Sequence, residues 1–181
     1  MDQDLVNIEK FKAGDLEGFE MLVKKYQNMV VNVVYSLIGN SHDAEDLAQD
    51  VFMKVYHNIG NFRGEAKFSS WLYRITVNST YDHLRRSKQK LVSIDEFENF
   101  DIPDTKEAQD VLAKELVQQA LTKIPYEYRS ALVLKEIEGL SYQEIAEALK
   151  ISIGTVESRI FRGRSMLKDI LVKKGVFKNE M

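Results

Sequence analysis

The sequence of 181 residues has no cysteine and only two prolines. Without cysteine there is no disulfide, thiolate zinc site or cysteine nucleophile, so any metal would depend on histidine and carboxylate ligands. Two prolines and nine glycines are few for a protein built from many strands joined by turns. No apolar run reaches the length of about 18 residues that suggests a membrane-spanning helix. The acidic start Met1–Asp4 is unlike a secretory signal, and we therefore expect a cytoplasmic protein.

Charge is arranged in segments along the chain. The net charge of −3 hides two basic segments, residues 60–90 and 155–181, on either side of an acidic segment over residues 91–119. The net acidity weakens non-specific attraction to DNA, so we expect the chain alone to bind a duplex poorly. Charged runs are also common on solvated surfaces, and they point to nucleic acid only where they fall on recognisable helices.

Apolar residues recur at steps of three and four over most of the chain, which predicts amphipathic helices. The predicted helices cover residues 15–38, 41–59, 69–88, 108–124, 125–139 and 141–149, with a last helix after residue 153. No alternating strand pattern competes with them. Residues 88–106 lose the period and are acidic, which is typical of a linker. We expect an all-α fold of two small helical domains, residues 1–90 and 108–181, joined by a flexible acidic linker over residues 91–107.

The C-terminal half has the spacing of a helix-turn-helix. Ser141 and Glu144 form a predicted capping box, and residues 150–154 are a tight turn before the next helix. Small Ala146 allows the two helices to approach closely. The side chains expected on the exposed face of the second helix are Ser158, Arg159, Phe161, Arg162 and Arg164. Arginine can bond guanine edges or phosphates and phenylalanine can contact a thymine methyl, so this spacing favours DNA over a plain helical hairpin.

A second polar face is predicted on the helix near residues 69–88. Arg74, Asn78, Tyr81 and Arg85 are spaced four, three and four residues apart and therefore share one side of that helix. The loop before it, residues 61–68, lacks a helical period and contains two phenylalanines. The face combines stacking, hydrogen-bonding and cationic groups, which suits nucleic acid.

Three motif blocks occur in order: DAEDLAQDVF at residues 43–52, FSSWLYRITVN at 68–78, and LSYQEIA at 140–146 with GTVESR at 154–159. In this content and order the sequence strongly resembles a bacterial sigma factor of the extracytoplasmic-function (ECF) type. The resemblance covers residues 12–171. It implies an initiation subunit of RNA polymerase, with the second sigma region near residues 10–90, the fourth near 108–174 and no third region.

The resemblance also implies which residues contact core RNA polymerase. In the family, the helix that contains residues 43–52 docks on the largest polymerase subunit, which implicates Asp43, Asp46, Gln49 and Asp50. An alternative for these acids is purely structural, since negative charge near a helix N-terminus is favoured by the helix dipole.

For the minus-ten promoter element, the resemblance implicates the loop and the polar face, which open the DNA and hold a flipped base. The implied residues are Phe62, Arg63, Phe68, Trp71, Arg74, Asn78, Tyr81, Arg85 and Arg86. Aromatic stacking, worth about 1–3 kcal/mol per base, offsets the cost of unstacking. Phe62, Phe68 and Asn78 are the candidates for the base pocket, while Trp71 is equally consistent with the core and with a stacking platform.

For the minus-thirty-five element, the implied residues lie on the second helix of the helix-turn-helix and comprise Thr155, Ser158, Arg159, Phe161, Arg162 and Arg164. Glu157 departs from the family, where Lys or Arg is frequent, and Ser152 stands where many members have Pro. Glu157 disfavours phosphate but can accept a bond from a cytosine amine. We therefore give most weight to Ser158, Arg159, Phe161 and Arg162.

The expected partners are core RNA polymerase, promoter DNA and an anti-sigma factor, with no cofactor and no metal. A free-standing helix-turn-helix regulator is the alternative, but it leaves the blocks at residues 43–52 and 68–78 without a role. Catalysis is disfavoured because His42, His57 and His83 lack a metal-like spacing and no phosphate-binding glycine loop is present. We also hypothesise that the acidic linker extends toward the RNA-exit path of the polymerase.

Overall fold

The computed structural model describes residues 2–88 and 106–174, in which eight α-helices are joined by short connections. Their bounds are α1 Gln3–Lys12, α2 Leu16–Ile38, α3 Ser41–Asn58, α4 Phe68–Lys88, α5 Lys106–Lys123, α6 Tyr126–Glu136, α7 Tyr142–Leu149 and α8 Ile153–Lys173. A short 3-10 turn, Ile59–Asn61, follows α3. Within these described ranges no strand occurs, which confirms the all-α fold. Apart from its last two residues, the predicted linker 91–107 lies outside the described residues.

Helix ends follow the capping chemistry of the sequence. Gly39 ends α2 in the left-handed region at φ 79°. Ser141 accepts a bond from the Glu144 amide at 3.2 Å, and the Glu144 carboxylate accepts one from the Ser141 amide at 3.0 Å, which completes the predicted capping box. The turn of the helix-turn-helix differs from the expectation. The predicted turn covered residues 150–154, but α8 begins at Ile153, so Gly154 already lies in its first turn, and Lys150 adopts the left-handed conformation at φ 54°.

Helices α1–α4 form the N-terminal module around one apolar cluster. Val30 and Val34 of α2 meet Val51 of α3 and Leu72 of α4 in its centre. The sequence did not predict α1, because ten residues of mixed charge give a weak apolar period. Gly18 permits its close approach to α2, since a Cβ there would lie 2.2 Å from the carbonyl oxygen of a residue in α1.

Helices α5–α8 form the C-terminal module. Its helix-turn-helix packs Ile145 and Ala146 of α7 against Val156 and Ile160 of α8. Gly163 brings α8 close to α6, where a Cβ would lie 3.3 Å from a carbonyl oxygen. This packing turns the outer face of α8 away from the module core.

The two modules pack against each other through a continuous apolar cluster, which the sequence did not indicate. Leu37, Tyr73 and Val77 of the N-terminal module share this cluster with Leu121 and Ile124 of the C-terminal module. Helices α2 and α4 therefore face α5, α6 and α7. A packed interface therefore joins α2 and α4 of the N-terminal module to the C-terminal module.

Arg129 joins the ends of two helices at this interface. Its buried guanidinium donates to the Leu37 carbonyl near the end of α2, to the Thr122 carbonyl at 2.7 Å and to the Ile124 carbonyl at 2.9 Å. The last carbonyls of a helix lack partners within the helix, and a cation there is favoured by the helix dipole. Arg129 thus connects the two modules by satisfying carbonyls from both.

We predict that Arg129→Met lowers the free energy of unfolding by about 2–4 kcal/mol, because buried carbonyls lose charged donors. Urea denaturation of the full chain measures this change. Arg129→Lys should recover part of the loss, whereas Lys24→Met, which removes an exposed cation from α2, should change stability little. A loss below about 1 kcal/mol for Arg129→Met would contradict the importance of this contact.

Candidate nucleic-acid interface

The acidic face predicted for polymerase contact lies on α3 and is exposed. Asp43, Asp46, Gln49 and Asp50 all face solvent, and the opposite side of the helix is buried in the module core. Asp43 is in the first turn, where its amide donates to the cap residue at 3.1 Å. The helix dipole acts mainly within that turn, so it accounts for Asp43 but not for Asp50.

Exposed apolar groups extend this acidic face. Met53 and Tyr56, one and two turns nearer the end of α3, are 57% and 40% exposed. Tyr56 lies edge-on to the ring of Phe19 at 5.2 Å, which fixes its position on the surface. A combination of carboxylates and ordered apolar groups suits a protein partner better than DNA.

The aromatic residues of the predicted base pocket form a cluster beneath the loop that follows α3. The rings of Phe62, Phe68 and Trp71 lie 5.5–5.8 Å from one another. Phe62 is only 6% exposed and Phe68 only 1%, because both rings complete the module core. In this conformation they support the loop from below, and neither presents a face on which a base could stack. Trp71 is half-buried: it packs on the core and also borders both surface cavities, so its role as a stacking platform stays a prediction.

Two surface cavities adjoin Trp71 and Arg74. The first, of about 440 Å³, lies between the loop Asn61–Ala66, the start of α4, and Glu147 with Lys150 of the C-terminal module. The second, of about 420 Å³, lies entirely on the N-terminal module. Its lining residues are Lys54, Asn58, Asn61, Trp71, Arg74, Ile75, Asn78, Ser79 and Asp82.

Polar side chains from two helices converge on the second cavity. Asn78 is exposed at its edge, and Lys54 of α3 donates to the Ser79 hydroxyl of α4 at 2.9 Å. Lys54, Asn58 and Asn61 were not among the predicted site residues. They lie on or just after α3, and sequence periodicity gives no indication of where α3 and α4 come together.

The remaining predicted residues of this surface continue along α4 and its loop. Arg86 is exposed, Arg85 lies 3.9 Å from Asp82, and Arg63 lies 4.0 Å from Glu65. These exposed, loosely paired cations remain available to phosphate groups because surface ion pairs are weak. Tyr81, on the same helix, already contacts another aromatic ring, since its ring lies 5.2 Å from that of Tyr126 in the C-terminal module.

Helix α8 is the second helix of the helix-turn-helix. Only some of the residues predicted to contact the minus-thirty-five element are fully exposed on it. Phe161 is 76% exposed, and Ser158 and Arg162 are exposed beside it. Arg162 lies near the Tyr128 hydroxyl, at 3.3 Å. Thr155 is half-buried in the first turn, where its amide donates to Ser152.

Two arginines of α8 are engaged in ion pairs with α6. Arg159 is 3.6 Å from Glu127, and Arg164 is 2.5 Å from Glu136. Glu157 is also exposed on this helix, one turn before Phe161, and it adds a negative charge to the same helix. The groups that can reach a groove without breaking a contact to α6 are therefore Ser158 and Phe161, whereas Arg162 must first leave the Tyr128 hydroxyl.

A hydrogen bond from α1 supports the loop. The Lys12 ammonium donates to the Phe62 carbonyl at 3.1 Å and to Glu9 at 3.1 Å. Lys12 was not a predicted site residue, because fifty positions separate it from the loop and only the packing of α1 brings them together. It holds the start of the loop in place.

Two carboxyl groups that accept hydrogen bonds across the module interface have shifted pKa values. Lys67 donates to Glu144 at 2.8 Å, and this bond, with those from Ser141, lowers the pKa of Glu144 to about 2. Tyr73 donates to Glu138 at 2.8 Å, while burial raises the pKa of Glu138. The stabilising effect of the Glu144 charge is present above its ordinary pKa and is lost only as the pH falls toward about 2. Near neutral pH that pair responds to salt and not to pH.

Among residues 2–88 and 106–174, no group of three His, Asp or Glu side chains is arranged to hold a metal ion. No helix in the same ranges is both long and apolar enough to cross a bilayer.

Comparison with known proteins gives matches over nearly the whole chain. Residues 22–90 match the family description Sigma-70 region 2, and residues 114–167 match Sigma-70, region 4. The RNA polymerase sigma-H factor of Pseudomonas aeruginosa is 35% identical, over 94% of each chain. The ECF RNA polymerase sigma-E factor of Haemophilus influenzae is 38% identical, over 93% of this chain and 94% of the relative.

Solved structures share the fold. CnrH, in complex with the cytosolic domain of CnrY, has a TM-score of 0.72 at 26% identity and covers 95% of this chain and 99% of its own. The sigma factor RpoE of Bartonella quintana, in complex with the anti-sigma factor NepR, has a TM-score of 0.67 at 22% identity, over 84% of this chain and 96% of that one.

Fold and surfaces together define a DNA-binding factor of the transcription machinery. The chain belongs to the sigma-70 family of RNA polymerase sigma factors, in its ECF group. It directs promoter-specific initiation of transcription by RNA polymerase. The alternative of a free-standing helix-turn-helix regulator is excluded, because it would explain the match of residues 114–167 to region 4 but not the match of residues 22–90 to region 2.

We predict that Lys12→Met loosens the loop at residues 61–67. Loss of the bond to the Phe62 carbonyl should raise amide hydrogen exchange in the loop about fivefold, the equivalent of about 1 kcal/mol. Hydrogen exchange read by mass spectrometry measures this, and Lys12→Arg should restore protection. The matched control is Lys10→Met, which removes a cation from the same helix but one that pairs with Glu17 at 3.8 Å. Equal exchange in the two methionine variants would contradict the proposed support of the loop.

Proposed function

We propose that the two modules divide the work of promoter recognition, residues 1–90 acting on the polymerase and the minus-ten element and residues 108–181 on the minus-thirty-five element. The observation that carries this proposal is the polar cleft at Arg74 and Asn78 beside an aromatic-supported loop. Such a cleft can hold a single unstacked base, which suits the opened minus-ten element. The minus-thirty-five element stays double-stranded, and the outer face of α8 is sufficient to recognise a duplex. Residues 91–107 connect the two modules.

At the minus-ten element, Asn78 and Arg74 read the edge of an unstacked base. An amide both donates and accepts hydrogen bonds, which permits discrimination among bases, and Arg74 lies between the two cavities. Trp71 supplies the stacking surface. Phe62 and Phe68 act as the rigid support of the loop, a revision of their expected stacking role that follows from their burial.

Phosphate contacts along the same strand come from cations around the cleft. Arg85 and Arg86 lie near the end of α4, and Arg63 lies in the loop. Their positions at both ends of the cleft suit a strand that passes over it. Tyr81 is available to this strand only when it is free of Tyr126.

At the minus-thirty-five element, α8 enters the major groove with its N-terminal half. Phe161 contacts a thymine methyl, and Arg162 bonds a guanine edge or a phosphate. Ser158 adds a hydrogen bond to a base or a phosphate. Arg159 and Arg164 reach phosphate by exchanging their glutamate partners on α6. Thr155 lies in the first turn of α8, where its amide donates to the N-cap Ser152 and its side chain can meet the adjoining phosphate.

The exposed face of α3 docks on core RNA polymerase. Asp46, Gln49 and Asp50 supply polar contacts, and Met53 and Tyr56 supply buried area at the edge of the interface. Asp43 lies at the start of the same face. The assignment is supported by the position of Asp50 beyond the first helical turn, where the dipole gives no structural reason for a carboxylate.

The protein acts as an initiation factor without catalytic chemistry of its own, and it acts in the cytoplasm with its polymerase. We propose regulation by an anti-sigma factor, because the structurally similar RpoE of Bartonella quintana was solved with the anti-sigma factor NepR. The acidic linker extends toward the RNA-exit path. That segment lies outside the described residues.

Run-off transcription on promoter templates should require both this chain and core RNA polymerase. Asn78→Ala and Arg162→Ala should each lower initiation at least tenfold, the equivalent of about 1.4 kcal/mol of lost base or phosphate interaction. Asn78→Ala should impair strand opening, seen with permanganate footprinting, while Arg162→Ala should be rescued on templates that do not depend on the minus-thirty-five element.

The controls for these two variants are Asn28→Ala, an exposed amide on α2, and Lys168→Ala, an exposed cation further along α8. Both should initiate like the unmodified chain. Transcription independent of this chain, or equal loss in the variants and their controls, would defeat the assignment of the two surfaces.

For the polymerase contact, Asp50→Lys should weaken binding to core RNA polymerase at least tenfold, because a reversed charge is opposed to the same partner surface. A titration of labelled chain with core, followed by fluorescence anisotropy, measures this affinity. Glu20→Lys makes the same charge change on α2 and should leave the affinity unchanged. Identical affinities for both variants would show that α3 is not the docking surface.

A further inference from the structure

The arginines of α8 are all engaged with the neighbouring helix α6. Arg159 and Arg164 pair with glutamates of α6 at 3.6 and 2.5 Å. Arg162 lies 3.3 Å from the Tyr128 hydroxyl, and its guanidinium is 6.0 Å from the centre of that ring. The outer face of a helix that is expected to enter DNA is therefore not made of unpaired cations.

A carboxylate is presented on this outer face instead. Glu157 is exposed in the second turn of α8, and among the residues that the structure describes its side chain has no hydrogen bond or ion pair. Phe161, one turn later, is 76% exposed. Residues four positions apart share one side of a helix, so the carboxylate and the ring form one stripe. It lies in the N-terminal half of the helix, which is the part that contacts base edges in a helix-turn-helix.

Ser158 adds a second hydrogen-bond acceptor next to Glu157. Its hydroxyl donates to the Thr155 carbonyl at 2.9 Å, so the oxygen presents only its lone pairs to a groove. A phosphate has acceptor oxygens alone, and Ser158 can bond one only by giving up the bond to Thr155. The groups that the outer stripe offers without rearrangement are two acceptors and one apolar ring.

The four bases differ in what they offer to such acceptors in the major groove. Guanine and thymine present acceptor atoms, adenine presents an amine beside the acceptor N7, and cytosine presents an amine with no acceptor next to it. A carboxylate is repelled by each of these acceptors. Cytosine is therefore the base whose edge a carboxylate fits best, while an apolar ring fits the methyl group of thymine.

We propose that Glu157 determines the specificity of the minus-thirty-five element by accepting a hydrogen bond from the amine of a cytosine. This inference rests on the proposed function of α8 at that element. A helical turn rises about 5.4 Å and a base pair about 3.4 Å, so the cytosine lies one or two base pairs from the thymine that Phe161 contacts.

The charge of Glu157 also acts on DNA of unrelated sequence. Phosphates repel the carboxylate wherever no cytosine amine is in reach, and the hydrogen bond offsets this repulsion only at the correct site. Specificity is a difference between two affinities, so a group that weakens the wrong complex increases it. A lysine or arginine, frequent at this position in the family, would instead attract phosphate in every sequence alike.

The test uses the holoenzyme of this chain with core RNA polymerase. The probe is a promoter that the holoenzyme transcribes, in which the upstream element is replaced by a randomised segment at a fixed distance from the minus-ten element. Sequencing the templates that are retained in heparin-resistant complexes gives the base preference at each position. We expect one position at which the unmodified chain prefers cytosine about tenfold over each other base.

Two substitutions should change the preferred base at that position and at no other. Glu157→Gln supplies a donor beside an acceptor, which matches adenine, and Glu157→Arg supplies two donors, which match guanine. Each should reverse the preference from cytosine to the new base by about tenfold. The matched controls, Asp169→Asn and Asp169→Arg, make the same charge changes at an exposed carboxylate further along α8 and should still select cytosine.

The inference is overturned if the unmodified chain selects bases but no cytosine, or if both Glu157 variants keep the preference of the unmodified chain. It is also overturned if Glu157→Arg strengthens the binding of all templates alike, because the residue then acts through its charge only. Failure of the proposed function gives another result: no base is preferred anywhere in the randomised segment, or Phe161→Ala and Arg162→Ala leave the preference unchanged.

Discussion

The interface between the two modules is the constraint on which the other features depend. The end of α2 is buried against α5 and α6, and its last carbonyls take their donors from Gln118 and Arg129 of the C-terminal module. A helix end buried without such donors would be costly, so these side chains and the apolar cluster beside them act together. Because the interface fixes α4 against α7, it also decides which functional surfaces face solvent.

The three surfaces of this sigma factor are consequently in different states. The acidic face of α3 and the outer face of α8 are open, while the start of α4 is covered by α7.

Much of the local structure was predictable because it depends on neighbours in the sequence. The capping box at Ser141 and Glu144, the left-handed end at Gly39 and the exposed stripe around Phe161 all arise within a few residues of chain. Helix α1 was missed because its period is weak, although Gly18 opposite it is required for its packing. The residues Lys12 and Lys54 were missed because their contacts are made across large sequence separations.

The sequence by itself determined the helices, the helix-turn-helix and the family, since periodicity, capping and motif order are encoded in short segments. Only the tertiary structure decided which predicted aromatics are free. Phe62 and Phe68 are residue types that suit a base pocket, but both rings are buried in the module core. Burying a large apolar side chain is more favourable than leaving it exposed to water. For Glu144, the sequence predicted its part in the capping box with Ser141. Its pairing with Lys67 depends on how two modules pack, and packing between distant segments leaves no local pattern.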